Sequence, residues 1–179
     1  PSAADVVNTW PEEELAEMIR KYSDERLAKP IARAIVETRA TTPFRTTKQL
    51  ASIASRLYEQ KGVRDKHIHP ATRLFQALRI AVNEEFEQLE TFLEKLPTWL
   101  APGAIVAIIS FHSLEDRIVK QAFRRHATDC ICPPNLPICQ CGHKAALKIT
   151  GKPIRASEAE TKQNPQARSA TLRVAERLS

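Results

Sequence analysis

The chain has 179 residues and a formal net charge of +6, with 42% hydrophobic and 27% charged residues, a composition typical of soluble globular proteins that argues against wholesale disorder. Its longest uninterrupted apolar run, residues 104–109, is far too short to cross a bilayer, and no secretory signal opens the sequence, so the sequence excludes a membrane protein and a secreted precursor. It contains only 4 glycines and does not begin with methionine, and we therefore expect a fragment of a longer protein.

The first 66 residues are expected to form short amphipathic helices. Capping-box spacing at Thr9 precedes apolar residues that recur at i, i+3, i+4 and i+7 from Leu15, which is typical of one helix face. A second helical stretch is predicted over residues 25–38, and a third begins at the capping sequence that starts with Thr46. Such short helices are stable only when they are packed, so we predict a helical domain over residues 1–66.

The most strongly periodic segment and a continuous apolar run come next. Apolar residues keep helical spacing between Pro70 and Pro97, which predicts a single helix of about seven turns that Pro97 breaks. Residues 104–111 have the pattern of a strand that is buried on both faces of a parallel sheet, and another helix is predicted from Ser113. Helix, strand and helix in this order make half of a doubly wound α/β unit.

Regular patterns become sparse after this helix. A cysteine-rich loop covers residues 130–143, a short strand is predicted over residues 145–150, and residues 151–168 are predicted to be a polar loop. Residues 169–177 alternate in polarity, as expected for a half-exposed antiparallel edge strand. The predicted fold class is therefore α/β, with a second domain over residues 67–179.

Charge is distributed unevenly along the chain. Residues 117–179 contain 12 Lys and Arg against 4 Asp and Glu. A basic region of this kind suggests a polyanionic partner such as RNA, although a solvated basic face, or a domain whose acidic complement is missing, has the same composition. The candidate RNA-binding cations in this region are Arg117, Arg124, Arg125, Lys144, Lys148 and Lys152.

The sharpest local motif is SFHSLEDR at residues 110–117, at the carboxyl end of the predicted strand, where open α/β sheets bind their ligands. A capping box with ordinary surface charges explains Ser113 and Asp116 well. It explains His112 and Arg117 less well, and we therefore favour a functional site. The candidate site residues in this motif are His112, Ser113, Glu115, Asp116 and Arg117.

A second candidate site lies at the start of the long predicted helix. Residues 69–73 open the helix, and Arg79 follows two turns later. A helix N-terminus with arginines nearby is suited to bind phosphate, which makes Arg73 and Arg79 candidate RNA contacts. The simpler interpretation, which the sequence alone favours, is that Pro70 only starts the helix and that both arginines are solvated.

Four cysteines form two close pairs that flank a proline-rich stretch: Cys130 and Cys132, then Cys139 and Cys141. Four thiolates on two arms joined by a turn are able to surround a tetrahedral Zn²⁺. The C-x-C spacing is tighter than the usual C-x2-C knuckle, so reduced structural thiols and disulfides across the turn stay open as alternatives. A structural role is favoured over catalysis, because four cysteine ligands leave no open coordination position.

Three longer stretches carry a family resemblance. HPATRLFQALRIAVN at residues 69–83, ISFHSLEDR at residues 109–117 and NPQARSATLRVAER at residues 164–177 resemble the bacterial ribosomal RNA small subunit methyltransferase H family. The similarity extends essentially from end to end. It implies an S-adenosylmethionine-dependent enzyme that methylates the exocyclic N4 of a cytidine in the decoding region of 16S rRNA.

The resemblance also implies a class I, Rossmann-like methyltransferase fold with an inserted helical domain that engages the substrate. Residues 1–66 would be this insertion, and residues 67–179 the last strands and helices of the catalytic domain. Family members begin with a longer segment that holds the glycine-rich turn and the acidic residue for the cofactor ribose, so no cofactor-binding residue maps onto this chain. The cytidine amino group must lose a proton during transfer, and His112 and Glu115 are the candidate acceptors.

A non-enzymatic RNA-binding module, stabilised by zinc at the cysteine cluster, is the alternative function. The cysteine cluster is not carried over from the family, and the metal hypothesis rests on spacing alone. If the first strands of the sheet are missing, the strand over residues 104–111 keeps an unpaired edge, which favours self-association or a homodimer. We expect a cytoplasmic protein whose partner is 16S rRNA or the small ribosomal subunit.

Overall fold

The computed structural model describes residues 1–63, 69–133, 136 and 138–179. It divides the chain into two compact units, which we call the helical unit (Pro1–Glu85) and the sheet unit (Phe86–Ser179). The predicted domain boundary at residues 66 and 67 lies outside the described residues. Within the described part of the chain, no helix is long and apolar enough to cross a membrane.

The described residues form a mixed α/β chain, which confirms the predicted fold class at that level. The helices are α1 (Ala3–Thr9), α2 (Glu12–Ser23), α3 (Ala28–Thr41), α4 (Thr47–Gln60), α5 (Thr72–Asn83), α6 (Glu85–Trp99), α7 (Ser113–His126) and α8 (Glu158–Gln163), with a 3-10 helix at Pro165–Ser169. The strands are β1 (Ile105–Ser110), β2 (Leu147–Ile149), β3 (Ile154–Arg155) and β4 (Thr171–Arg177).

Caps and apolar faces account for the helices of the helical unit. The predicted capping box at Thr46 is confirmed: its hydroxyl accepts a hydrogen bond from the Gln49 N–H, and the Gln49 side chain accepts one from the Thr46 N–H. The box expected at Thr9 is not formed, since Thr9 ends α1 and donates its hydroxyl to the Asp5 carbonyl. α2 packs against α3 and α5, and the fully buried side chains of these helices include Leu15, Ile19, Ile31, Ile35 and Leu74.

A buried carboxylate lies among these helices. Glu25 is 3% exposed, and its two oxygens accept hydrogen bonds from the Tyr58 hydroxyl at 2.6 Å and the Leu27 N–H at 2.8 Å. Arg73 Nη1 lies 3.9 Å from Glu25 Oε2. Burial and the adjacent carboxylate raise the pKa of Tyr58 to about 12. The charge of Glu25 is therefore paired and hydrogen-bonded, as a buried charge must be.

The single long helix predicted between Pro70 and Pro97 is in fact two helices. Glu84 takes a left-handed conformation, with φ 53° and ψ 38°, and its N–H caps α5 by donating to the Ile80 carbonyl. Arg79 makes two hydrogen bonds to the Glu85 carboxylate, at 2.8 and 3.0 Å, across the break. One left-handed residue scarcely disturbs the apolar spacing, which explains why the periodic pattern did not predict the break.

Pro97 does not break α6, contrary to the prediction. It lies in the last turn, where its missing N–H deprives the Leu93 carbonyl of its helical donor. His126 Nε2 lies 2.9 Å from that carbonyl oxygen, and because a carbonyl only accepts, the imidazole N–H donates the replacement hydrogen bond. Arg177 donates from Nε to the Pro97 carbonyl at 3.0 Å. The end of α6 is thus joined to both α7 and β4.

β4 is the central strand of the sheet. The strand order is β1-β4-β2, β3 also pairs with β4, and every pairing is antiparallel. The prediction of an edge strand over residues 169–177 is therefore wrong in position, although the antiparallel pairing is confirmed. The predicted polar loop over residues 151–168 is wrong as well, since it contains β3, α8 and the 3-10 helix.

Only one face of β1 is covered. Val106 and Ile108 pack on a core formed by α6, α7, β2 and β4, whereas Ile105 and Ile109 are 60% and 56% exposed. The prediction of a strand buried on both faces of a parallel sheet is therefore wrong for this chain. Among the described residues β1 pairs with β4 alone, so the predicted unpaired edge is present. The buried residues of the core are Leu93, Leu96, Val119, Phe123, Leu147 and Ala175.

Candidate functional site

The motif at the end of β1 forms a reciprocal cap at the start of α7. His112, not Ser113, is the N-cap residue, and its Nδ1 accepts a hydrogen bond from the Glu115 N–H at 3.3 Å. Glu115 Oε2 in turn accepts from the N–H groups of Phe111 at 3.0 Å and His112 at 3.3 Å. Ser113 is an exposed residue of the first helical turn. The motif is thus a capping box with a histidine in the capping position.

The two candidate proton acceptors, His112 and Glu115, differ in the hydrogen bonds that their side-chain atoms make. Because Nδ1 of His112 accepts the capping hydrogen bond, the proton of the neutral imidazole is on Nε2. This buried Nε2 lies 3.1 Å from Glu115 Oε1, outside hydrogen-bond geometry, and has no hydrogen-bond partner among the described residues. Burial raises the pKa of Glu115, but contacts with the His112 side chain and the Phe111 N–H outweigh it and hold the pKa below its usual value.

A bidentate ion pair fixes the first turn of α7 to the central strand. Arg173 donates from Nε and Nη2 to the two carboxylate oxygens of Asp116, at 2.7 and 2.8 Å. These hydrogen bonds hold the pKa of Asp116 below its usual value. Arg173 was not among the predicted site residues. The alternation of side chains along β4 could have indicated it, because it puts Arg173 on the same face as the buried Ala175, where a cation needs a carboxylate partner.

The comparisons with known proteins decide the family. The chain matches the model of the MraW methylase family over residues 1–178. It belongs to this family. Relatives named Ribosomal RNA small subunit methyltransferase H match over 178 residues and 99% of the chain, with 51% identity in Thermomicrobium roseum and 53% in both Solidesulfovibrio magneticus and Citrifermentans bemidjiense. The match covers 54%, 55% and 57% of these three relatives, so the chain spans little more than half of their length.

The resemblance found from the sequence motifs is therefore confirmed. The predicted RNA contacts are divided between the two units. Arg73 and Arg79 lie in the helical unit, where Arg73 is close to the buried Glu25 and Arg79 is paired with Glu85. The remaining predicted contacts lie exposed in the sheet unit: Ser113, Arg117, Arg124, Arg125, Lys144, Lys148 and Lys152.

A concave basic surface lies beside α7 in the sheet unit. We call it the basic pocket; its volume is about 210 Å³ and its cationic lining residues are Lys120, Arg124, Lys152 and Arg173. Since Asp116 neutralises Arg173, the other three cations are those that suit a phosphate group. Lys120 was not among the predicted RNA contacts, although its i, i+4 spacing from Arg124 on α7 indicates that the two cations lie on one helix face.

The four cysteines of the chain lie close together. The Sγ atom of Cys139 lies 3.4 Å from that of Cys130 and 3.5 Å from that of Cys141, and the Cys130–Cys141 distance is 3.9 Å. All four sulfur atoms lie within 4.8 Å of one another, and none is in a disulfide. The cluster has the donor set to hold a metal ion. The proline-rich stretch between the two cysteine pairs, residues 133–137, is predicted to be a turn and lies partly outside the described residues.

Proposed function

We propose that the protein to which this chain belongs transfers a methyl group from S-adenosylmethionine to the N4 amino group of a cytidine in the decoding region of 16S rRNA. One observation carries the proposal: relatives that are 51–53% identical over 99% of the chain are named Ribosomal RNA small subunit methyltransferase H. The substrate would be the small ribosomal subunit or its RNA. We propose the cytoplasm as the location, because ribosomal RNA is there.

We propose that the residues of this chain do not form a cofactor site by themselves. S-adenosylmethionine supplies an electrophilic methyl group when it is bound. A nucleotide-like cofactor on an α/β sheet needs a glycine-rich turn between a strand and the helix that follows it. Gly103 precedes β1 and Gly151 separates β2 from β3, while Gly62 follows α4 and Gly142 lies among the cysteines. We therefore propose that the cofactor-binding turn belongs to the part of the relatives that this chain does not match.

Glu115 is our candidate for the group that accepts the proton from the cytidine amino nitrogen. The nitrogen must lose a proton when its bond to the methyl carbon forms, and a carboxylate within hydrogen-bond distance accepts it. His112 is less suited, because Nδ1 is occupied by the cap and Nε2 carries the proton. His112 acts instead as a positioning residue that holds Glu115 by two hydrogen bonds and the 3.1 Å Nε2–Oε1 contact.

The 179-residue chain alone is expected to bind no S-adenosylmethionine and to transfer no methyl group, whereas the full-length protein does both. Calorimetry with the cofactor, and transfer of labelled methyl to small-subunit RNA, compare the two proteins, with circular dichroism to check that the chain is folded. Micromolar cofactor binding by the chain would contradict the proposed division of the site. A full-length protein that binds the RNA without methylating it would favour the alternative function, a non-enzymatic RNA-binding module.

We propose that the basic pocket contacts the RNA backbone. Replacing Arg124 and Lys152 with glutamate is expected to weaken binding to small-subunit RNA and to reduce the slope of log K against log salt by about 0.7–0.9 for each lost phosphate contact. Lys162→Glu is the matched control, because Lys162 is exposed on α8 outside the pocket. Filter binding at several salt concentrations gives the slopes. An unchanged slope in the double variant would mean that these charges are only solvated.

We also propose that the chain associates with itself and that it binds a zinc ion. The open edge of β1, with Ile105 and Ile109 exposed, favours self-association of the chain into a homodimer or larger species. Structural zinc at the cysteine cluster is proposed as a second bound group, on separate grounds that follow from the surroundings of the four sulfur atoms.

A further inference from the structure

The sulfur positions fit one metal ion at their centre. In a tetrahedral zinc site with Zn–S bonds of about 2.3 Å, neighbouring sulfur atoms are about 3.8 Å apart. The three distances among Cys130, Cys139 and Cys141 are 3.4, 3.5 and 3.9 Å. Cys132 completes the set within 4.8 Å. A disulfide needs about 2.05 Å between two sulfur atoms, so the arrangement suits a shared ion rather than covalent pairs.

Little else in the described residues holds this segment together. Between His126 and Leu147 they include no helix or strand. The apolar side chains of the segment provide no core, since Ile131 is 42% exposed and Ile138 is 73% exposed. Four thiols in mutual contact at the surface, without a core or a covalent bond, are not expected to stay together by themselves. A metal ion supplies the missing stabilisation.

The surrounding donors and acceptors match a metal–thiolate centre. The Gln140 N–H donates to Cys132 Sγ at 3.4 Å. The backbone N–H groups of His143 and Ile131 also donate hydrogen bonds to Cys141. Backbone N–H groups aimed at sulfur stabilise thiolate, the form that binds metal.

His143 positions the cysteine cluster and is not a fifth ligand. Its Nε2 lies 2.8 Å from the Arg125 carbonyl, which ties it to the end of α7. On the same side the Ala145 N–H donates to Asp129 Oδ1 at 3.1 Å, and the Ala146 N–H donates to the His126 carbonyl at 2.7 Å. The residues that follow the cysteines are therefore hydrogen-bonded to the end of α7 and to Asp129, just before β2 begins.

We propose that Cys130, Cys132, Cys139 and Cys141 bind one Zn²⁺ as a closed structural site. Zinc is favoured because four thiolates in a tetrahedral arrangement are a common structural zinc site, and all four positions are taken by protein. The ion would fix the connection between α7 and β2 and thereby the exposed Arg125 and Lys144 on either side of it. This role does not depend on the catalytic proposal.

Metal analysis of full-length protein purified without added zinc tests the proposal. We expect about one equivalent of zinc per chain, together with four thiols that react with a thiol reagent only after a chelator removes the metal. In Cys139→Ser the zinc content is expected to fall at least about tenfold. In His143→Ala it is expected to stay near one equivalent, because the backbone N–H at residue 143 is retained. Neither readout requires methyl transfer, so failure here is distinct from failure of the proposed function.

Several results would overturn the zinc site. One is zinc near zero in the wild-type protein with four freely reactive thiols; another is loss of thiols to disulfides without metal. Loss of zinc in His143→Ala would overturn the four-cysteine ligand set. Retention of zinc at one equivalent in Cys139→Ser would do the same. If Cys139→Ser does not fold, the wild-type metal content and thiol reactivity decide the question by themselves.

Discussion

Replacing Glu115 with glutamine in the full-length protein is expected to lower kcat for RNA methylation by about 10²–10⁴-fold, the usual contribution of a positioned proton acceptor. Glutamine at this position still closes a capping box, because an amide oxygen accepts the hydrogen bonds from the Phe111 and His112 N–H groups. The variant therefore removes the basic carboxylate and keeps the start of α7. Single-turnover transfer of labelled methyl to small-subunit RNA measures the change.

Two matched variants separate proton transfer from helix capping. Asparagine is among the preferred N-cap residues, so His112→Asn keeps the cap while it removes the imidazole that holds Glu115, and we expect a smaller loss of kcat than in Glu115→Gln. Gln121→Ala changes an exposed residue further along α7 that takes no part in the cap and is expected to leave kcat near the wild-type value. Full activity in Glu115→Gln, with an unchanged melting temperature, would leave Glu115 with a capping role alone.

Replacing Glu25 with alanine is expected to lower the free energy of unfolding of the helical unit by about 3–5 kcal/mol, as happens when one partner of a buried charged network is removed. The Tyr58 hydroxyl would lose its acceptor in a buried environment, and the Leu27 N–H would lose its acceptor in a partly buried one. Denaturant unfolding is followed by tryptophan fluorescence in a Trp99→Phe background. The fluorescence then reports on the helical unit, because Trp10 is the remaining tryptophan and lies in that unit.

The exposed Glu13 in the first turn of α2 provides the control, and Glu13→Ala is expected to change stability by about 0.5 kcal/mol or less. Tyr58 adds a pH test. Its folded pKa of about 12 lies above the usual 10, so its contribution is complete below pH 10 and is lost as the pH rises through 12. Tyr58→Phe should lack this alkaline loss. A wild-type stability that stays flat from pH 10 to 12 would contradict the buried hydrogen bond.

Helices α2, α3 and α4 were predictable because caps and apolar spacing are local signals, whereas α1 was not predicted and the cap expected at Thr9 is not formed. The break after α5 was not predictable, since Glu84 is neither glycine nor asparagine, the residues that usually indicate a left-handed cap. The strand at residues 104–111 is apolar on both faces, as a doubly covered strand is, but the described residues cover one face only. A sequence pattern describes the environment for which a strand is suited, which is not the environment that the described residues supply.

The sequence predicted which residues lie together in the candidate site, whereas the contacts among them could not be predicted. The motif at residues 110–117 was identified from its place at the end of a strand, and the structure shows His112 and Glu115 in contact there. Histidine is not among the preferred N-cap residues, so Ser113 was the natural expectation for the cap. Arg173 pairs with Asp116 from 57 positions away, and no local pattern reports a contact of that range.

The central position of β4 has a consequence for biosynthesis. Every strand pairing among the described residues includes β4, which is made after all the other strands, with roughly sixty residues between the end of β1 and its partner. During translation β1 must therefore wait for this partner, with the edge that pairs with β4 available to other chains, for several seconds at about 5–20 residues per second. A nascent chain that stops before Thr171 has none of the strand pairings seen among the described residues, and such products should be substrates for chaperones and proteases.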